Sequence, residues 1–125
     1  MKKVISTVEA PAAIGPYSQA ILTNGTLYAS GQLGIDPKTG EFADGITAQT
    51  EQAFRNIHAI LREAGMSIDD VVKTTVFLSS MDDFASMNAV YATQFTKVLP
   101  ARSAVAVRTL PKNGLVEIEV LAIKG

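Results

Sequence analysis

The chain has 125 residues, enough for one compact domain and too few for a second of ordinary size. Its 11 basic and 12 acidic residues are scattered, which leaves no electrostatic footprint for a polyanion, and the absence of cysteine excludes disulfides, thiolate catalysis and cysteine-held zinc. Apolar residues make up 47% of the sequence against 18% charged, more than so small a surface needs, and part of the surplus is expected to be buried between subunits.

The start, Met1-Lys2-Lys3 ahead of Val4 to Glu9, lacks the apolar stretch of ~7–15 residues that a secretory signal requires. No run approaches the ~20 apolar residues that cross a bilayer, so a cytoplasmic chain without a membrane partner is expected. Val4 to Val8 reads as an edge strand closed by Ala10-Pro11. Tyr17 to Thr23 and Thr26 to Gly31 flank Asn24-Gly25, the dipeptide suited to a two-residue turn with positive φ at both positions, and form a hairpin. Asp36-Pro37-Lys38-Thr39-Gly40 is a turn cluster.

From Thr47 to Ala64, apolar residues at Ala53, Phe54, Ile57, Ile60, Leu61 and Ala64 keep the spacing of one buried helix face, and Gly65 supplies the stop. Val71 to Leu78 is a β-branched strand that sets Lys73 and Thr75 against Val72, Thr74 and Val76. Ser80 to Asp83 resembles a capping box opening a second helix striped by Phe84, Met87, Tyr91 and Phe95. Pro100 releases the chain into strands Ala101 to Leu110 and Leu115 to Ile123, separated by a Pro111-Lys112-Asn113-Gly114 turn. The order β-β-β-α-β-α-β-β predicts an α+β domain over residues 1–125, one sheet with two helices covering one face. Subunit association is the economical cover for the other face.

Most familiar catalytic sets are missing. His58 is the only histidine and reads as a plain helix residue with no second histidine to share a metal. Gly31-Gln32-Leu33-Gly34 does not open a helix, so it is not a phosphate loop. The last strand is more informative. Alternation puts Val116, Ile118, Val120 and Ala122 on one face, and Leu115, Glu117, Glu119 and Leu121 on the other. Such a face predicts that Glu117 or Glu119 is partly buried, where desolvation raises a carboxylate pKa toward the range useful for proton transfer. A structural alternative is a cross-strand pair, since in a plain hairpin Arg108 faces Glu117.

Arg102 begins a strand just after a rigid proline, where a guanidinium can hold a carboxylate through two parallel hydrogen bonds, although a solvated surface arginine reads equally from the pattern. In that plain hairpin, Arg102 and Glu117 lie ~20 Å apart along the strands. Acting together would require another strand between them or a site built across a subunit boundary.

Pro100-Ala101-Arg102-Ser103-Ala104-Val105 and Leu115-Val116-Glu117-Ile118-Glu119 resemble the signature of the RidA/YjgF (reactive intermediate deaminase) family. The likeness extends to Ala10-Pro11-Ala12-Ala13-Ile14-Gly15-Pro16-Tyr17-Ser18-Gln19, to Ser30-Gly31-Gln32 and to Val72-Lys73-Thr74-Thr75-Val76-Phe77. The resemblance implies a chorismate-mutase-like fold and a homotrimer whose sheets form a central barrel, with clefts between subunits for small carboxylic acids. It also implies that the last two strands are not neighbours. By similarity Arg102 clamps the substrate carboxylate and Glu117 activates or positions the attacking water. Tyr17, Ser30 and the Gly31 backbone line the cleft, and Asn88 contributes from the second helix. Ala104 stands in the cleft where relatives often carry cysteine, so any role of that thiol is absent.

The implied activity is hydrolysis of 2-imino (2-enamino) acids, such as 2-iminobutanoate and 2-iminopropanoate, to 2-keto acids and ammonia. These substrates are released by pyridoxal-phosphate-dependent threonine and serine dehydratases. A protonated imine is already electrophilic, so the reaction needs orientation, one acid/base group and a water, and requires no metal or cofactor. A regulator binding keto acids in the same cleft without turnover is the main alternative. A ribonuclease or RNA-binding role is disfavoured by the balanced charge, and a chorismate mutase would want several arginines around a dicarboxylate.

Overall fold

The computed structural model describes residues 1–124. Strands β1 (Lys3–Ile5), β2 (Ala20–Thr23), β3 (Thr26–Ala29), β4 (Gln32–Leu33), β5 (Val71–Leu78), β6 (Ala101–Ala106) and β7 (Val116–Ile123) form one mixed sheet, with helices α1 (Gly45–Glu63) and α2 (Phe84–Gln94). The spatial order is β1-β2-β3-β7-β5-β6, with β4 also paired to β7. The α+β class and the two-helix, single-sheet architecture expected from the sequence are what the chain adopts.

The hairpin turns at Asn24 (φ 50) and Gly25 (φ 78), with Thr23 opposite Thr26. Helix α1 ends at Ala64, and Gly65 at φ 74 lets the Met66 N–H return to the Leu61 carbonyl. The buried faces of β7 (Val116, Ile118, Val120, Ala122) and β5 (Thr74, Val76, Leu78) meet Phe54, Ile57 and Leu61 of α1 and Met87 and Tyr91 of α2. Each such large apolar side chain contributes ~1.5–3 kcal/mol on burial. The opposite face carries Val4, Tyr28, Val105 and Ile123, each between 45% and 60% exposed, with nothing among the described residues to cover them.

Several boundaries differ from the sequence reading for identifiable reasons. The first strand stops at Ile5 rather than Val8 because the Gln19 side chain takes over both backbone groups of Thr7: Thr7 N–H donates to Gln19 Oε1 (2.7 Å), and Gln19 Nε2 donates to the Thr7 carbonyl (3.0 Å). Strand β6 ends at Ala106 rather than Leu110 because its partner β5 ends at Leu78. A bulge between Val71 and Lys73 turns Val72 outward, so Val72 does not share the covered face with Thr74 and Val76. Ser80 caps a short 3-10 turn (Met81–Asp83) by accepting from Asp82 N–H, and α2 starts only at Phe84; the reciprocal capping box lies at Ser67 and Asp70 instead.

The hairpin reading of the last two strands is overturned. β5 lies between β6 and β7, parallel to the first and antiparallel to the second, so Glu117 faces Phe77 and Arg108 is not its partner. The connection Val107 to Leu115 includes a 3-10 turn at Pro111–Asn113 with Lys112 and Asn113 at positive φ, and it carries the chain across β5 instead of folding back tightly.

Candidate active site

A cleft of about 630 Å³ opens between the Pro11–Tyr17 segment, the chain from Ser30 to Pro37 and the Pro111–Lys112 turn, with Glu117 in its wall. Its walls are mostly apolar, from Pro11, Ala12, Ile14, Leu33, Ile35 and Pro37. Buried glutamine and asparagine side chains hold the backbone segments that shape it. Gln19 donates to the Pro11 carbonyl (2.8 Å) as well as binding Thr7, and fixes the N-terminal wall. Asn56 of α1, fully buried, donates to the Leu33 and Ile35 carbonyls (3.1 and 3.0 Å) and fixes the other. With these backbone groups satisfied by side chains, irregular chain is able to line a cavity at low cost.

Tyr17 stands on the rim, 53% exposed. Ser30 Oγ donates to the Ser18 carbonyl (2.7 Å), so its hydroxyl presents only acceptor lone pairs to the cleft. Gly31 follows, where the chain between β3 and β4 takes one more residue than β7 beside it: Tyr28 pairs with Leu121 and Gln32 with Ile118. The Glu117 carboxyl is half-buried and held above the ordinary glutamate range, first by desolvation and second by the neighbouring charge of Glu119.

Arg102 and Asn88 belong to a different place. Arg102 Nη1 donates to Asn88 Oδ1 (2.6 Å), and its guanidinium carbon lies 4.6 Å from the Tyr91 ring centre and 5.5 Å from that of Phe84. Tyr91 is itself pinned by a 2.8 Å hydrogen bond between its hydroxyl and Thr74 Oγ1. Phe84, Asn88 and Tyr91 are spaced i, i+4, i+7 and share one face of α2; the sequence pattern marks Phe84 and Tyr91 as core packing, and of the three the resemblance places only Asn88 in the cleft. Ala104 lies two residues further along β6, half-buried on the same face as Arg102 and packed against the core.

Register places these two groups on opposite sides of the sheet. Arg102 is level with Thr74 and Val120, both under the helices, whereas Glu117 is level with Phe77 on the uncovered side. The structure thus brings Tyr17, Ser30, Gly31 and Glu117 together, and Arg102, Asn88 and Ala104 together, but does not join the two sets within one chain. His58 is apart from both, its Nε2 2.8 Å from Gln94 Oε1 in a link between α1 and α2. The roles of Gln19, Asn56 and the Phe84–Tyr91 pair were not foreseen from the sequence.

The family described as Endoribonuclease L-PSP matches residues 7–124. A Mus musculus protein named 2-iminobutanoate/2-iminopropanoate deaminase is 48% identical over 126 residues, covering 100% of this chain and 93% of the relative. A Lactococcus lactis protein bearing the name of a regulator, AldR, is 55% identical over 121 residues, 96% of each chain. Among solved structures, E. coli TdcF with bound serine is 39% identical, covers 98% of this chain and 99% of its own, and superposes with a TM-score of 0.95. Matched almost end to end in both sequence and fold, the chain belongs to the Endoribonuclease L-PSP family, that of the RidA/YjgF proteins.

Proposed function

We propose that the protein hydrolyses 2-imino acids and their enamine tautomers, 2-iminobutanoate and 2-iminopropanoate among them, to 2-keto acids and ammonia. The site is built where neighbouring copies of a homotrimer meet. The observation that carries this reading is the half-buried Glu117 carboxyl, with raised proton affinity, in the wall of a mostly apolar cleft. Its environment, burial first and the Glu119 charge second, favours the protonated form and so suits a group that takes up and returns a proton. The uncovered apolar sheet face supports association, and the separation of Arg102 from Glu117 supports a cleft completed by a second copy.

Arg102, pre-oriented by Asn88 and the two aromatic rings, grips the substrate carboxylate through paired hydrogen bonds. Ser30, whose proton is committed to the Ser18 carbonyl, accepts from the imine N–H. Ionised Glu117 takes a proton from water as its oxygen bonds to C2 of the protonated imine. The resulting carbinolamine collapses when Glu117 returns that proton to nitrogen and then takes the hydroxyl proton as the C–N bond breaks, so that ammonia leaves as the keto group forms. Tyr17 and the Gly31 backbone line the substrate's path, and Ala104 supplies a small neighbour beside Arg102. The presence of serine in TdcF and the deaminase name of the mouse relative favour a small 2-substituted carboxylic acid as ligand.

Coupling a threonine dehydratase to the protein, with semicarbazide trapping the free imine, tests the proposal. Faster 2-ketobutyrate release and less semicarbazone are expected, and both effects disappear with Arg102→Ala. Binding of 2-ketobutyrate without any acceleration would instead establish the regulator reading that the AldR relative's name raises.

A further inference from the structure

We propose that Gly31 is a positioning residue for Glu117: the space left by its missing side chain is the seat of the Glu117 side chain. The inference rests on the reading of Glu117 as the proton carrier. A Cβ built on Gly31 would stand 2.9 Å from each of Cγ, Cδ and Oε2 of Glu117, closer than real Cβ atoms approach their neighbours. It would touch that side chain along its length and not merely at its tip. The backbone itself does not demand glycine here, because Gly31 is not among the residues with positive φ. The constraint therefore comes from Glu117.

The sheet explains why these two residues meet. Leu33 is the direct partner of Glu117 in the β4–β7 pairing, so Gly31, two residues back, falls on the same face as its diagonal neighbour. The extra residue between β3 and β4 brings the Gly31 backbone in over the carboxylate. Any side chain at 31 would displace the acid from the cleft wall toward water. Because a flexible side chain yields more readily than backbone, the displacement would cost the fold little.

The test is Gly31→Ala in the otherwise intact protein, followed by the thermal midpoint, imine hydrolysis and carboxyl-carbon NMR titration of Glu117. The expected pattern is a midpoint close to that of the parent, kcat lower by about 10²-fold, as ångström-scale misplacement of a catalytic group produces, and KM changed little. The Glu117 titration should shift down toward the ordinary glutamate range. In a Glu117→Ala background the same Gly31→Ala change should leave the midpoint unaltered, since the clashing atoms are gone. An unchanged Glu117 titration with a raised KM would overturn the inference and leave Gly31 as a backbone contact to substrate only. If the parent shows no imine hydrolysis, the deaminase reading fails, while the titration still decides whether Gly31 seats Glu117.

Discussion

Arg102 and Glu117 occupy the same sheet but are held by opposite means. The arginine lies on the helix-covered side in a fitted seat: Asn88 accepts from it, Tyr91 and Phe84 flank it, and Thr74 locks Tyr91. The glutamate faces the uncovered side, shaped by the space beside Gly31 and by apolar cleft walls, and the influences on its ionisation, burial and the Glu119 charge, both oppose its charged form. One group is held in a fixed direction. The other is placed where giving up its charge is easy, which is what a group that shuttles protons needs.

The largest effect separates the two roles. Glu117→Gln keeps the shape and removes the titration, and should lower kcat by ~10²–10⁴-fold while keto-acid affinity, measured by calorimetry, is retained. A comparable loss of affinity would mean that Glu117 is a binding group and blur the contrast.

Next is the separation itself. Arg102→Ala and Glu117→Gln proteins, each inactive, are mixed, unfolded and reassembled together. Because intact pairs then arise between unlike copies, about a quarter of the parent activity should return if Arg102 and Glu117 serve one cleft from different chains. No recovery, with mixed oligomers verified by mass spectrometry, would mean that each chain builds its own site.

Asn88→Ala tests the arginine seat alone. Losing one hydrogen bond to a charged group should weaken kcat/KM about tenfold without altering the pH profile, which belongs to Glu117.

The smallest effect is on stability. Glu117 binds its proton more tightly folded than unfolded, so the native state loses stability relative to the unfolded chain as pH rises from the ordinary carboxylate range through the raised folded value. Glu117→Gln should therefore melt slightly above the parent at neutral pH, with the difference closing in acid. Scanning calorimetry across pH 3–8 (about the span needed) would show the reverse slope if Glu117 were instead stabilised in its charged form.

Much of the fold was legible because local signals agreed with the tertiary outcome. The Asn24-Gly25 turn, the striped helix ending at Gly65 and the alternation of Val116 to Ala122 each needed only their own segment. Where expectation failed, a distant group had intervened: Gln19 drew Thr7 out of β1, and β5 slid between β6 and β7 and dissolved the Arg108–Glu117 pairing. The candidate site was legible only in part. Glu117 and Glu119 stood out alike as carboxylates among leucines, and the family resemblance chose Glu117, but nothing in a single strand shows that Gly31 lies against it, or that Asn88 and Tyr91 wait beside Arg102.

By itself, the sequence determined most of the secondary elements and the α+β class, and it named the side chains proposed to carry chemistry, since periodicity, turn residues and residue type are properties of short segments. Only the tertiary structure decided which of those side chains meet. Sheet order brings together residues far apart in the chain, and the face on which each one lies follows from its register with strands it does not adjoin in sequence.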